Sequence, residues 1–129
     1  MYIRLVILGI GTDIIEVARI ARQIAGSRGF KERYFSTGEI AYCEPKRGRA
    51  RNYAARFAAK EAFFKALGTG YRGGLAFREV EVVNDRLGKP EISLRGRAKE
   101  LCRKRRIRGI HVSLTHIKNY ASAVVIMEG

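Results

Sequence analysis

The stretch from Asn52 to Leu67 constrains this chain more than any other. Its core reads Ala54-Ala55-Arg56-Phe57-Ala58-Ala59-Lys60-Glu61-Ala62-Phe63-Phe64-Lys65-Ala66-Leu67, followed by Gly68-Thr69-Gly70. Ala and Leu favour helix, no Pro or Gly interrupts the run, and Gly68 stands where a helix C-cap is expected. On a spiral of 3.6 residues per turn the apolar side chains point in almost every direction, so the helix is expected to be buried. It nevertheless carries Arg56 and Lys60 on one line and Glu61 and Lys65 on another, with Phe57 and Phe64 between them. Charges on a buried helix are costly unless they are paired or bind something.

Two readings of those charges follow from the residues. In one, Glu61 and Lys65 form an ordinary ion pair one turn apart. In the other, Glu61 is a hard oxygen ligand for a metal, and Arg56, Lys60 and Lys65 are partners for an anion such as a phosphate.

The elements around this helix follow from hydrophobic pattern and turn residues. Tyr2–Ile10 is rich in Ile, Val and Leu and reads as a strand. Its continuous apolar run implies cover on both faces, and Gly9 and Gly11 are expected to loosen the backbone after it. Asp13 then lies at the strand's exit, either as a rigidly held functional carboxylate or as the N-cap of the next helix. From Glu16 a helix is predicted, with Val17, Ile20, Ala21 and Ile24 on one face and Arg19, Arg22 and Gln23 opposite. Gly26 and Gly29 end it. Phe30–Phe35 reads as a helical turn, and Ser36 with Glu39 has capping-box spacing for a short helix over Thr37–Cys43. Lys46–Arg51 is a basic loop or helix entrance.

Beyond a loop at Tyr71–Gly74, a strand over Phe77–Asn84 turns through Asp85, Gly88 and Pro90 into a second over Glu91–Leu94. Arg97–Arg106 reads as an amphipathic helix. Gly109 opens a strand in which Ile110, Val112 and Leu114 alternate with His111, Ser113 and Thr115, and Tyr120–Met127 closes the chain as its hairpin partner. Helices come first and two hairpins after. That order predicts an α+β fold with a largely antiparallel sheet packed on the central buried helix, and the 129 residues are expected to form one domain.

Charge is the strongest compositional signal. Lys and Arg number 26 against 12 acidic residues, a net charge of +14. This implies an acidic partner: nucleic acid, anionic membrane, acidic protein or phosphorylated small molecule. One basic cluster, Lys46, Arg47, Arg49 and Arg51, precedes the central helix; a second extends from Arg95 to Arg108. Cys43 and Cys102 do not make a disulfide scaffold and are expected to be free thiols in a reducing cytoplasm. The apolar run Leu5–Ile10 is too short for a signal peptide, and no stretch is long enough to cross a bilayer. A small RNA-binding protein is the alternative that charge alone supports. Such proteins expose aromatic rings beside their basic stripes, whereas Phe57, Phe63 and Phe64 belong to an apolar helix.

The two histidines differ. His111 receives no role. His116 ends its strand beside Thr115, a suitable place for a donor to phosphate.

Gly9-Ile10-Gly11-Thr12-Asp13-Ile14-Ile15-Glu16-Val17-Ala18-Arg19-Ile20 resembles the opening motif of the holo-acyl-carrier-protein synthases, the small 4′-phosphopantetheinyl transferases. The stretch from Arg56 to Gly70 resembles their second motif almost residue for residue. Gly88-Lys89-Pro90 and His111-Val112-Ser113-Leu114-Thr115-His116, followed by Tyr120-Ala121, are similar to their later segments.

The resemblance implies an enzyme that moves the 4′-phosphopantetheine arm of coenzyme A onto a serine of acyl carrier protein, in the service of fatty acid biosynthesis. It implies Asp13 and Glu61 as ligands for Mg²⁺ and, with Lys65, as the catalytic set. Lys65, Gly68 and His116 match positions that contact the coenzyme. Arg56, with Arg47 or Arg49, is implied at its 3′-phosphate. Arg19 and Arg22 are implied against the acidic recognition helix of the carrier protein, and a homotrimer with sites shared between subunits is implied as the assembly. No nucleic acid or membrane partner is implied. The chain starts a few residues earlier than is usual for the family. Its Arg103-Lys104-Arg105-Arg106 block is unusually basic, either additional carrier-protein surface or a solvated face.

Overall fold

The architecture comes from a computed structural model, which describes residues 4–70 and 74–129. Among the described residues five strands and five α-helices follow one another: β1 (Ile7–Glu16), α1 (Val17–Gly26), α2 (Phe30–Tyr34), α3 (Thr37–Cys43), α4 (Arg49–Leu67), β2 (Val80–Asn84), β3 (Pro90–Leu94), α5 (Gly96–Lys104), β4 (Gly109–His116) and β5 (Tyr120–Glu128). A 3₁₀ turn over Phe77–Glu79 precedes β2. The fold is α+β, as expected, with antiparallel pairing throughout: a three-stranded sheet in the order β1-β5-β4 and a β2-β3 hairpin.

Helix α4 is the buried centre. Its side chains from Tyr53 to Lys60 are all buried, and Ala62, Phe63, Phe64, Ala66 and Leu67 join them. It begins at Arg49, within the stretch expected as basic loop or helix entrance, and ends at Gly68 in the left-handed conformation (φ 81°). The alternation in the sheet supplies the other half of the core. Ala121, Ala123, Val125 and Met127 of β5 are all buried, while Ser122, Val124 and Ile126 of the same strand lie on the opposite face. Around the N-terminal half of α4, Phe30, Tyr34, Phe35, Tyr53, Phe57 and Phe77 form a connected set of ring contacts.

Strand β1 departs most from expectation. It runs from Ile7 to Glu16 rather than over Tyr2–Ile10, whose Tyr2 and Ile3 lie outside the described residues. Gly9 and Gly11 do not loosen it; they let α4 lie directly against it. A Cβ at Gly9 would stand 2.1 Å from the Ala66 carbonyl oxygen, and one at Gly11 would stand 1.9 Å from that of Ala62. Nor are both faces covered: Ile7, Ile10 and Ile14 are exposed. Of the loop expected over Tyr71–Gly74, residues 71–73 lie outside the described residues, and Gly74 is in a turn.

Two shorter differences have local causes. The expected strand start at Phe77 is a 3₁₀ turn whose Phe77 carbonyl turns inward to a buried ammonium. The expected end of α5 at Arg106 shortens to Lys104, because Arg106 takes a left-handed conformation (φ 58°) and closes the helix.

Candidate active site

The glycine contacts between β1 and α4 set the geometry of the site. Moving two residues along β1, from Gly9 to Gly11, moves four residues back along α4, from Ala66 to Ala62. Those advances match, about 6.8 Å on the strand and about 6 Å on the helix. Two residues further along the same face of β1 comes Asp13, beside the turn of α4 that carries Glu61.

Asp13 is therefore an interior residue of β1, not its exit, and it does not cap α1, whose N-cap is Glu16. Its backbone is fixed opposite Ala123, and its carbonyl accepts the Ser122 hydroxyl at 3.0 Å. The Lys65 ammonium reaches across from α4 and donates to the Asp13 carboxylate at 3.1 Å and to the Thr12 carbonyl at 3.0 Å. Lys65 makes this link between helix and strand, and not the ordinary ion pair with Glu61 that was one of the two readings of these charges. Glu61 accepts no side-chain hydrogen bond among the described residues. Burial, and then the nearby Asp13 charge, raise its pKa above the ordinary carboxylate value, opposed by Lys65 and Arg19. Asp13, Glu61, Lys65 and Arg19, from three elements, thus make one electrostatic cluster. Among the described residues no three or more His, Cys, Asp or Glu side chains gather to hold a metal; the cluster offers two carboxylates.

Lys60 belongs elsewhere, which corrects its reading as an anion partner. Fully buried, it donates to the Glu39 carboxylate at 2.7 Å and to the carbonyls of Phe77 and Val80 at 3.0 and 2.6 Å. Burial pushes its pKa down while Glu39 pulls it up. Glu39 also accepts the amides of Ser36 and Val82, so this one carboxylate joins the capping box of α3 to α4 and β2. Lys60, Glu61 and Lys65 of the central helix therefore divide between structure and site.

Arg56 is also buried and is not brought to Asp13 and Glu61. Its guanidinium donates to Asn84 and lies 4.3 Å over the Tyr42 ring, while its Nε, buried, has no partner. The same ring carries the Lys46 ammonium at 4.3 Å. Arg56 thereby underlies the basic loop, where Arg47 is exposed and Arg49 pairs with Glu44 at 3.3 Å. Gly68 follows α4 one turn beyond Lys65, its N–H donating to Phe64 and Lys65. His116 is exposed at the end of β4, opposite Ala121 and two strands from β1.

On α1, Arg19 and Arg22 are exposed. Arg19 also lines a cavity of about 240 Å³ with Arg28, Arg33, Phe30 and Tyr34. Arg28 and Arg33 were not legible in the sequence as candidates for this cavity. The signal available was their spacing around the helix break at Gly29, which turns both toward Arg19. In the second basic block, Arg105 proves structural: it donates to the Leu67 carbonyl at 2.6 Å and so closes the C-terminal end of α4.

Residues 9–125 match the family model described as the 4′-phosphopantetheinyl transferase superfamily. The chain is 50% identical over 123 residues to the holo-[acyl-carrier-protein] synthase of Klebsiella pneumoniae, covering 95% of this chain and 98% of the relative. It superposes on the crystal structure of holo-[acyl-carrier-protein] synthase from Neisseria meningitidis with a TM-score of 0.88 at 34% identity, covering 96% and 100% of the two chains. The Helicobacter pylori holo-[acyl-carrier-protein] synthase, crystallised in complex with coenzyme A, matches with a TM-score of 0.81 at 33% identity, covering 92% and 98%.

Proposed function

The chain belongs to the 4′-phosphopantetheinyl transferase superfamily, and from that membership we propose that it transfers the 4′-phosphopantetheine arm of coenzyme A to a serine hydroxyl of acyl carrier protein, releasing adenosine 3′,5′-bisphosphate. The observation that carries this reading is the convergence of Asp13 and Glu61, far apart in sequence, beside the Lys65 ammonium.

This donor set fits Mg²⁺. The ion takes one or two carboxylates and completes its shell with phosphate oxygens and water. Glu61 has a carboxylate uncommitted to any side-chain hydrogen bond among the described residues, and burial first, then the nearby Asp13 charge, raises its pKa, so the pair has negative charge to offer a cation. Asp13 and Glu61 would hold the metal, which when bound neutralises the diphosphate and the charge developing on the leaving bisphosphate. Lys65, anchored by the Thr12 carbonyl, presents its remaining proton to a phosphate oxygen. As the serine attacks phosphorus, its proton passes to one of the two carboxylates or to a water that they hold. No covalent intermediate is required, and the rate comes from positioning and charge.

Family membership supports the remaining assignments. Arg56, with Arg47 or Arg49, meets the 3′-phosphate, while Gly68 and His116 contact the coenzyme. Arg19 and Arg22 meet the acidic segment of the carrier protein. The uncovered sheet face bearing Ile10 and Ile14 supports a homotrimer with sites shared between subunits. The 129 residues act as one domain. The buried, unpaired Cys43 and Cys102 support a cytoplasmic location, and no helix among the described residues is long and apolar enough to cross a membrane.

The test is to incubate the protein with coenzyme A, Mg²⁺ and an apo acyl carrier protein. The reading predicts a carrier mass gain of one phosphopantetheine with release of adenosine 3′,5′-bisphosphate. No gain on any of several carriers would contradict it.

A further inference from the structure

The second basic block has a neighbour that the proposed reaction does not use. Strand β3, helix α5 and the start of β4 enclose a groove of about 720 Å³. Its floor includes Ile92, Ile107 and Ile110, and its rim carries Lys99, Arg103, Arg106 and Arg108. None of these four cations has an ion pair or side-chain hydrogen bond among the described residues, and no acidic side chain lines the groove. The groove is separate from the Asp13–Glu61 cluster. Ile110 stands level with Met127 and Gly9, whereas Asp13 stands level with Ala123 and Leu114, four rungs or about 13 Å along the sheet.

Arg106 carries an independent sign. It occupies the position after the C-cap of α5, with its N–H bonded to the Arg103 carbonyl and the Ile107 N–H to that of Cys102. That pattern calls for a left-handed residue, usually Gly. Arg106 holds φ 58°, the only positive φ at a non-glycine among the described residues. The chain keeps an arginine on the groove's rim against its backbone preference.

We propose that this groove docks an acidic amphipathic helix of a partner protein. An apolar floor between cationic rims matches a helix with one apolar and one carboxylate-rich face. Nucleic acid fits less well because no aromatic ring lines the groove for stacking. A membrane fits less well because the apolar residues are recessed rather than protruding.

The test uses the full chain and a fluorescent synthetic helix with a Leu face and a Glu face, read by anisotropy. A peptide of the same composition with its faces scrambled is the control. The patterned peptide is expected to bind, weakening as salt rises, and Arg103→Glu with Arg106→Glu is expected to lower affinity at least about tenfold. Arg106→Gly, free of backbone strain, is expected to raise Tm while weakening binding several-fold. Sedimentation of both variants is expected to match the parent. The proposal is overturned by no binding at about 100 µM peptide, by equal binding of the scrambled peptide, or by charge reversal without effect. It is also overturned if single-stranded RNA or phosphatidylglycerol vesicles, rather than the peptide, bind in a manner that reversal abolishes. Loss of self-association in the variants would overturn it too, by making the groove a contact between copies.

Discussion

The Lys65 ammonium of the central helix lies 3.1 Å from the Asp13 carboxylate of the first strand. It also holds the Thr12 carbonyl, so it ties the helix to the strand at the point where Glu61 and Asp13 come together. The lysine is 55% exposed, and a solvated ion pair contributes at most about 1 kcal/mol to folding. Lys65→Met should therefore leave Tm nearly unchanged. Transfer should fall by about two orders of magnitude, as when a preorganised charge partner is removed. A large loss of stability in thermal melts would show that Lys65 serves the fold instead.

Lys60 gives the opposite expectation, five residues back on the same helix. Removing one partner of a buried pair leaves the other uncompensated, so Lys60→Ala should cost about 3–5 kcal/mol in denaturant unfolding. Lys60→Met combined with Glu39→Leu should cost less than the sum of the single changes, because neither leaves a lone buried charge.

Glu61 makes stability depend on pH. Its folded pKa lies above the ordinary value, so its stabilising contribution is present below the unfolded pKa and is lost as pH rises through the folded one. At neutral pH its ionised form weakens the fold. Glu61→Gln should raise Tm at about pH 8, and this gain should shrink toward about pH 4, where the parent is itself protonated. The same variant should lose transfer activity. A variant less stable than the parent at the higher pH would contradict the sign.

Gly11→Ala places a methyl group 1.9 Å from the Ala62 carbonyl oxygen and 2.6 Å from the Ala66 nitrogen. Both are helix backbone, which yields little. The cost should be about 3 kcal/mol or more, seen as a lower urea midpoint. Any folded fraction should turn over slowly, since Asp13 lies two residues away.

Local patterns were legible in the sequence; packing partners were not. The Ser36–Glu39 capping box, the Gly68 cap, the two hairpins and the alternation in β4 all depend on residues close together in the chain. Gly9 and Gly11 read as loosening because a sequence does not show which backbone will press on a glycine. Lys60 and Lys65 looked alike for the same reason: only the arrival of Glu39 and the Phe77 and Val80 carbonyls makes one structural, and only β1 makes the other part of the site. Asp13 and Glu61 were legible through the family motifs, while their approach follows from two glycines that let the helix settle on the strand. Arg105 looked like one more solvated cation because its acceptor, the Leu67 carbonyl, is a backbone group distant in sequence.

We propose that Asp13 and Glu61 together hold a divalent cation that grips the diphosphate of coenzyme A. Titration calorimetry of coenzyme A into the protein, with Mg²⁺ and then with a chelator, tests it directly. Binding is expected to need Mg²⁺ and to be weakened equally by Asp13→Asn and Glu61→Gln. Binding of equal strength in chelator, or metal-dependent binding that both variants retain, would contradict it.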